Sequence, residues 1–267
     1  MKRPTVLLAV ALLLAWTVRP AIADEKACVI GQGIAPGGCV QPPGTGKPTD
    51  TSAMQVLERM RAAYAGLDSY ADTSKVRTER QSAGAPLAAE EHSFTTLYAA
   101  PRRFRFDFRR AANAERLVIW SPGDAFHSWW SATGVHERYP QGQGATAFAI
   151  GAYPTYGSAL LIPGLLFHQA GLQSPLLGIE EAIHQGIEMI AGRPHHKLVA
   201  AVRQNHWSDV RRETSVWIDR DTYLVRKVLE DTPHGLGSGD VDRITTTIEP
   251  QIAPPLSESA FEFSPPR

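Results

Sequence analysis

The chain has 267 residues, 27 basic and 27 acidic side chains, 43% apolar residues and only two cysteines. Its balanced charge gives no long-range attraction to nucleic acid or to an anionic membrane surface. The length suits one large domain or two small ones with a substantial core.

Lys2 and Arg3 precede an apolar run from Val6 to Val18, and Ala21-Ile22-Ala23 then leads to Asp24. A basic start, a short apolar run and small residues at the cleavage positions predict a cleaved secretory signal over residues 1–23 and an exported mature chain. Removing that segment leaves a formal charge of −3. Cys28 is a poor lipidation site, because Glu25, Lys26 and Ala27 precede it. Residues 24–50 read as a Gly- and Pro-rich extension. In it Cys28 and Cys39 flank VIGQGIAPGG, and in an oxidising compartment they are expected to form a disulfide that staples this tail. The domain proper is expected over residues 51–267.

Leu57, Met60, Tyr64 and Leu67 recur at three- and four-residue intervals, with Glu58, Arg59 and Arg61 on the other side. This predicts an amphipathic helix starting near Ser52 and ending near Gly66. Strand signals follow at 70–81, 90–98, 103–109, 115–120, 124–131 and 135–139, broken by Gly84, Pro86, Pro101, Asn113, Pro122, Gly123 and Gly134. Residues 141–185 are apolar and interrupted by Gly and Pro. Two short helical pieces, separated at Pro163 or near Pro175, fit this stretch better than strands. Strands resume at 186–191, 195–203, 213–219, 223–230 and 241–249, with turns at Gly192-Arg193-Pro194, Asp219-Arg220-Asp221 and His234 to Gly239, and Ala260 to Phe263 reads as a last extended piece. The class is α+β, mostly β, with about eleven strands.

Catalytic and metal signals are weak. The nine histidines are scattered, and His195 and His196, as neighbours on a strand, point to opposite faces. Asp219 and Asp221 sit between VWI and YLV, where a tight hairpin wants Asp at its corner. GTGK at 44–47 lacks the rest of a phosphate loop, GQGIAPG at 31–37 lacks the third dinucleotide glycine, and no G-x-S-x-G occurs. No catalytic residue, metal or cofactor is assigned, and an enzyme is not expected.

Phe104, Phe106 and Phe108 alternate with Arg103, Arg105 and Asp107, so one face of that strand is apolar and the other charged. A curved sheet of many such strands has a large concave face, and one helix with a Pro-broken insert offers rather little volume to fill it. The expectation is a greasy cavity.

APRRFRFDFR followed by ERLVIWSPGDAFHSWW resembles the signature of the LolA/LolB-like superfamily of periplasmic lipoprotein carriers. EMIAGRPHHKLVAAV with TSVWIDRDTYLVRKVLED resembles the family's later hairpins, and TTTIEPQIAPPLSESAFEFSPP its closing strand; the likeness covers roughly residues 52–266. It implies an incomplete antiparallel β-barrel with an N-terminal helix and a helical lid insert, holding acyl chains in its concavity. Phe104, Phe106, Phe108, Leu117 and Ile119 would then form the cavity wall, and Leu160, Leu161, Ile162, Leu165, Leu166 and Phe167 the lid. One departure is Ala100, where the carriers commonly place an Arg that ties down the lid; Arg102 and Arg103 are the candidates to replace it. The implied partner is an acylated lipoprotein or lipid bound by a monomer, with an envelope membrane protein as a further partner and no nucleic acid. The alternative is a lipid-sensing regulatory or protein-binding module on the same scaffold.

Overall fold

The computed structural model describes residues 51–82, 84–140, 142–167, 172, 174–205, 208–233 and 240–266. The expected signal segment, the extension and the Cys28–Cys39 pairing lie outside these residues.

Helix α1 (Thr51–Ala65) leads into β1 (Ser69–Ser82), β2 (Ala85–Ala99), β3 (Arg103–Arg110), β4 (Arg116–Ser121), β5 (Phe126–Trp130) and β6 (His136–Tyr139). The insert holds α2 (Gly144–Ala152), α3 (Ser158–Leu161) and α4 (Pro163–Leu166), with single 3-10 turns at Tyr153–Thr155 and Pro175–Gly178. Then come β7 (Ala182–Ile190), β8 (Arg193–Asn205), β9 (Ser208–Asp219), β10 (Val225–Pro233) and β11 (Val241–Ile252). All eleven strands form one antiparallel sheet in the order β6-β5-β4-β3-β2-β1-β11-β10-β9-β8-β7. It is an incomplete barrel, with β6 and β7 as unjoined edges.

That order explains the lid. β6 and β7 are consecutive in sequence yet lie at opposite edges, so the chain between them must cross the sheet to connect them. An apolar segment crosses on the apolar side. Helix α1 joins it there, burying Ala53, Val56, Leu57, Met60 and Tyr64.

The insert is more fragmented than the two expected pieces. Pro154 is the second residue of its 3-10 turn, Pro175 opens the other, Pro163 opens α4, and Gly157, at φ +82°, leads into α3. Each proline is acceptable only in a first turn, so each begins a new short element. The β7–β8 turn is made by Ala191 and Gly192, both at positive φ, and Arg193 and Pro194 already belong to β8. Ala260 to Phe263 is not extended throughout: a 3-10 turn occupies Glu258–Phe261, and the Glu262 carbonyl accepts from Arg105 Nη1 at 3.0 Å instead of joining a ladder.

That C-terminal segment also changes the outer face of the sheet. Val118, Trp120 and Trp129 are buried there, with Phe263 packed on them at 5.0 Å from the Trp120 ring and 5.6 Å from Trp129. Asp107, expected on a solvated face, is buried and ion-paired to Arg105 and Arg116. Burial opposes its ionisation, but the arginines outweigh that and hold the carboxyl below its usual range.

Candidate ligand-binding site

The alternation in β3 points Phe104, Phe106 and Phe108 inward, and the register places Tyr98, Thr96 and Phe94 of β2 and Ser121, Ile119 and Leu117 of β4 beside them. The two ends of this row differ. Phe106, Phe108, Leu117 and Ile119 are buried, and α2 closes over them so tightly that a Cβ on Gly151 would lie 2.9 Å from Ile119 Cδ1. Leu161, Ile162, Leu165 and Leu166 are buried in the same core, and Leu160 is packed against it. The protein's own side chains occupy this end.

At the other end, Phe104 meets Phe126 of β5, Phe148 of α2 and Phe167 just after α4, with ring centroids 6.3, 5.2 and 5.2 Å away. Phe126 also contacts Phe148 at 5.4 Å and Phe167 at 5.5 Å. Beside this cluster lies a cavity of about 280 Å³, bounded by Phe126, Phe148, Phe167, Ala145 and Leu172, with Arg102, Ser121 and Asp124 also lining it. Gly144 is required here, because a Cβ would come within 2.5 Å of the Phe126 ring. Asp124 is exposed, and the slight desolvation of its carboxyl is outweighed by the Ala125 amide and Arg138, which hold it below its usual range.

Of the residues expected as wall and lid, Phe167 lines the cavity, Phe104 stands behind its aromatic wall, and the others form the packed core. Phe126 and Phe148 stand outside the expected wall and lid. Phe126 was legible, since it alternates inward with Ser128 and Trp130; Phe148 sits in GATAFAIGA, which has no polar face to set a period.

The lid is tied down from α1. Arg61 Nη2 donates to the carbonyls of Leu177 and Ile179 at 3.1 and 3.2 Å. Neither candidate for that role performs it: Arg102 lines the cavity, and Arg103 pairs with Glu258 at 3.2 Å. A second tether is Tyr156, stacked on buried His92 at 5.0 Å and beneath the Arg110 guanidinium at 5.7 Å.

The Asp219 corner and the histidines near it have structural partners. Asp219 Oδ1 accepts from the amides of Asp221 and Thr222 and from the Thr222 hydroxyl, which makes it the hairpin corner. His195 lies 3.9 Å from Asp219, while His196 pairs with His184 at 3.1 Å. Among the described residues no group of three or more His, Cys, Asp or Glu is placed to hold a metal ion. Among them, too, no helix is long and apolar enough to cross a membrane.

Several solved structures are similar to this chain at low identity. Lipoprotein LppX of Mycobacterium tuberculosis shares 16% identity over 78% of this chain and 99% of its own, with a TM-score of 0.45. LprF of Mycobacterium bovis shares 12% over 79% and 97%, with a TM-score of 0.44. A LolA superfamily protein of Nitrosomonas europaea shares 10% over 79% and 97%, with a TM-score of 0.33. No curated protein matches the sequence. None of these scores reaches 0.5, and assignment to a family comes from the match of residues 53–267 to a family model described as predicted periplasmic protein. The chain belongs to that family, DUF2092.

Proposed function

We propose that this protein is a periplasmic carrier that holds an acyl chain of a lipoprotein or lipid in the cavity beside Phe104, Phe126, Phe148 and Phe167. The observation that carries this reading is a largely apolar hollow of about 280 Å³ at the margin of the lid, whose charged lining residues, Arg102 and Asp124, are both exposed. The chemistry fits an amphiphile: aromatic walls accept hydrocarbon, and Arg102 and Asp124 stand where a polar head would emerge. The size falls just below the ~300–1,000 Å³ of small-molecule pockets. It holds one acyl segment, not several chains.

Each methylene moved from water into such a site gains about 0.8 kcal/mol, and the bilayer it leaves offers nearly the same. Affinity relative to membrane is therefore close to balanced, and the lid governs the rate of exchange. The test is mass spectrometry of lipid released from protein purified from the periplasm of an expressing host, with titration by a fluorescent fatty acid. Bound lipid, displaced by the probe and lost in Phe148→Trp, is expected. Protein that carries no lipid and takes up no probe refutes the proposal.

A further inference from the structure

The insert has a second apolar face, pointing away from the core. Ile150 is 55% exposed and Tyr153 92% exposed, one turn apart, and Ala149 beside them is also exposed. No Lys, Arg, Asp or Glu occurs anywhere between Arg138 and Glu180, although such residues make up 20% of the chain. Much of that stretch is buried, where charge is costly, but its exposed positions carry none either.

The backbone at this tip is equally dry. The carbonyl of Gly151 accepts from Thr155 Oγ1 at 2.7 Å, that of Ala152 from the Gly157 amide at 2.8 Å, and that of Tyr153 from the Tyr156 amide at 3.4 Å. Those of Pro154 and Thr155 accept from Arg110 Nη2 at 3.2 Å and from Ser158 Oγ at 2.7 Å. The last carbonyls of a helix lack an intrahelical donor and turn to side chains, tightened turns or water. Proline at 154 removes the amide that would otherwise meet the Ile150 carbonyl, but the five carbonyls after Ile150 are satisfied from within. A chain segment that leaves water needs this, because hydrocarbon supplies no hydrogen bonds. A protein partner makes no such demand, since it brings donors of its own.

We infer that the end of α2 and the turn after it form a membrane-docking tip, with Ile150 and Tyr153 entering the boundary between headgroups and acyl chains of a lipid surface. Tyrosine suits that depth, its ring in the apolar layer and its hydroxyl among the headgroups. The same helix carries the cavity on its other side, through Gly144, Ala145 and Phe148. Docking the tip brings the cavity rim to the bilayer. The inference does not depend on what the cavity holds.

The test is flotation of periplasm-purified protein with phosphatidylcholine vesicles, with and without added phosphatidylglycerol and salt. Binding to neutral vesicles that survives salt is expected, and the double variant Ile150→Asp, Tyr153→Asp should weaken it by about tenfold or more. In Tyr153→Trp, the introduced indole should be quenched by lipids brominated on their chains. The inference is overturned if native protein ignores neutral vesicles, if the double variant floats within about twofold of native, or if Trp at 153 is unquenched. Fatty-acid probe uptake is followed in parallel. Probe binding kept with flotation lost supports the tip, whereas flotation kept with no probe uptake by native protein sinks the cavity reading alone.

Discussion

Replacing Asp72 with asparagine should remove a pH dependence built into the core. Asp72 faces inward on β1 between Tyr70 and Ser74 and is 3% exposed. Its Oδ1 accepts from the Thr96 amide at 3.0 Å and from Ser74 Oγ at 3.1 Å, while Oδ2 is buried without a partner in hydrogen-bond geometry. Burial lifts the carboxyl from its ordinary 3.8 to about 7, against the opposing pull of hydroxyls on Tyr70, Thr96 and Ser74. The folded state therefore keeps a proton that the unfolded chain releases between those two values. Stability from this group is greatest at acid pH, falls as pH rises from about 4 to about 7, and is level above that. At ~1.4 kcal/mol per pH unit, the loss across the window is on the order of 4 kcal/mol.

Asparagine keeps the Oδ1 acceptor, cannot ionise, and places its amide near Tyr70 OH and Thr96 Oγ1, both buried and otherwise unpaired. Urea unfolding midpoints of native protein and Asp72→Asn, measured from pH 4 to 8, should lie close together at the acid end and diverge toward pH 8, the variant being the more stable. Taking the difference between the two cancels carboxylates such as Asp107 and Asp219, whose values are lowered and which act in the opposite sense. A difference that stays constant across the interval, or a variant less stable at pH 8, refutes the reasoning.

Gly164→Ala should destabilise by about 1–3 kcal/mol despite alanine's ~1 kcal/mol advantage in helices, because the new Cβ would lie 2.3 Å from the Ser174 backbone nitrogen; an unchanged urea midpoint would contradict this. Arg61→Ala removes two charge-assisted bonds to the lid, so fatty-acid probe should exchange faster in stopped flow, with Arg61→Lys intermediate. Phe263→Ala uncovers Trp120 and Trp129 and leaves Arg105 and Arg116 without the ring they overlie. A red shift in tryptophan emission and a loss of about 1–2 kcal/mol are expected.

Much of the fold was legible because its strands alternate cleanly and their breaks carry Gly, Pro or Asn. Phe104, Phe106 and Phe108 lie where their two-residue period puts them, and Leu57, Met60 and Tyr64 where their helical period does. The insert was harder, since an apolar stretch has no polar positions to phase it and only Pro154, Gly157, Pro163 and Pro175 mark its joints. Long-range pairings left no local trace. Arg61 reads as an exposed helix residue until Leu177 and Ile179 are folded against it, and nothing near Phe263 announces that it will cover Trp120. Asp72 did leave a signal, as a lone acid at an inward position between Tyr70 and Ser74.

The distribution of space inside the sheet bears on how a carrier would work. Sheet curvature and strand count alone suggest a large hollow, yet the insert fills most of it, because a chain linking β6 to β7 must cross the concavity and brings Phe148, Ile162, Leu165 and Leu166 with it. The cavity of about 280 Å³ lies where α2 begins and α4 ends, at the margin of the lid and not beneath its centre. A longer acyl chain would then be admitted only by sliding the lid pieces off Leu117 and Ile119, exchanging protein hydrocarbon for lipid hydrocarbon at little net hydrophobic cost. What resists that motion is polar and specific: Arg61 on the carbonyls of Leu177 and Ile179, and Arg110 and His92 about Tyr156. In a carrier of this build, capacity and rate of loading would thus be set by different residues, the first by the phenylalanines and the second by these tethers.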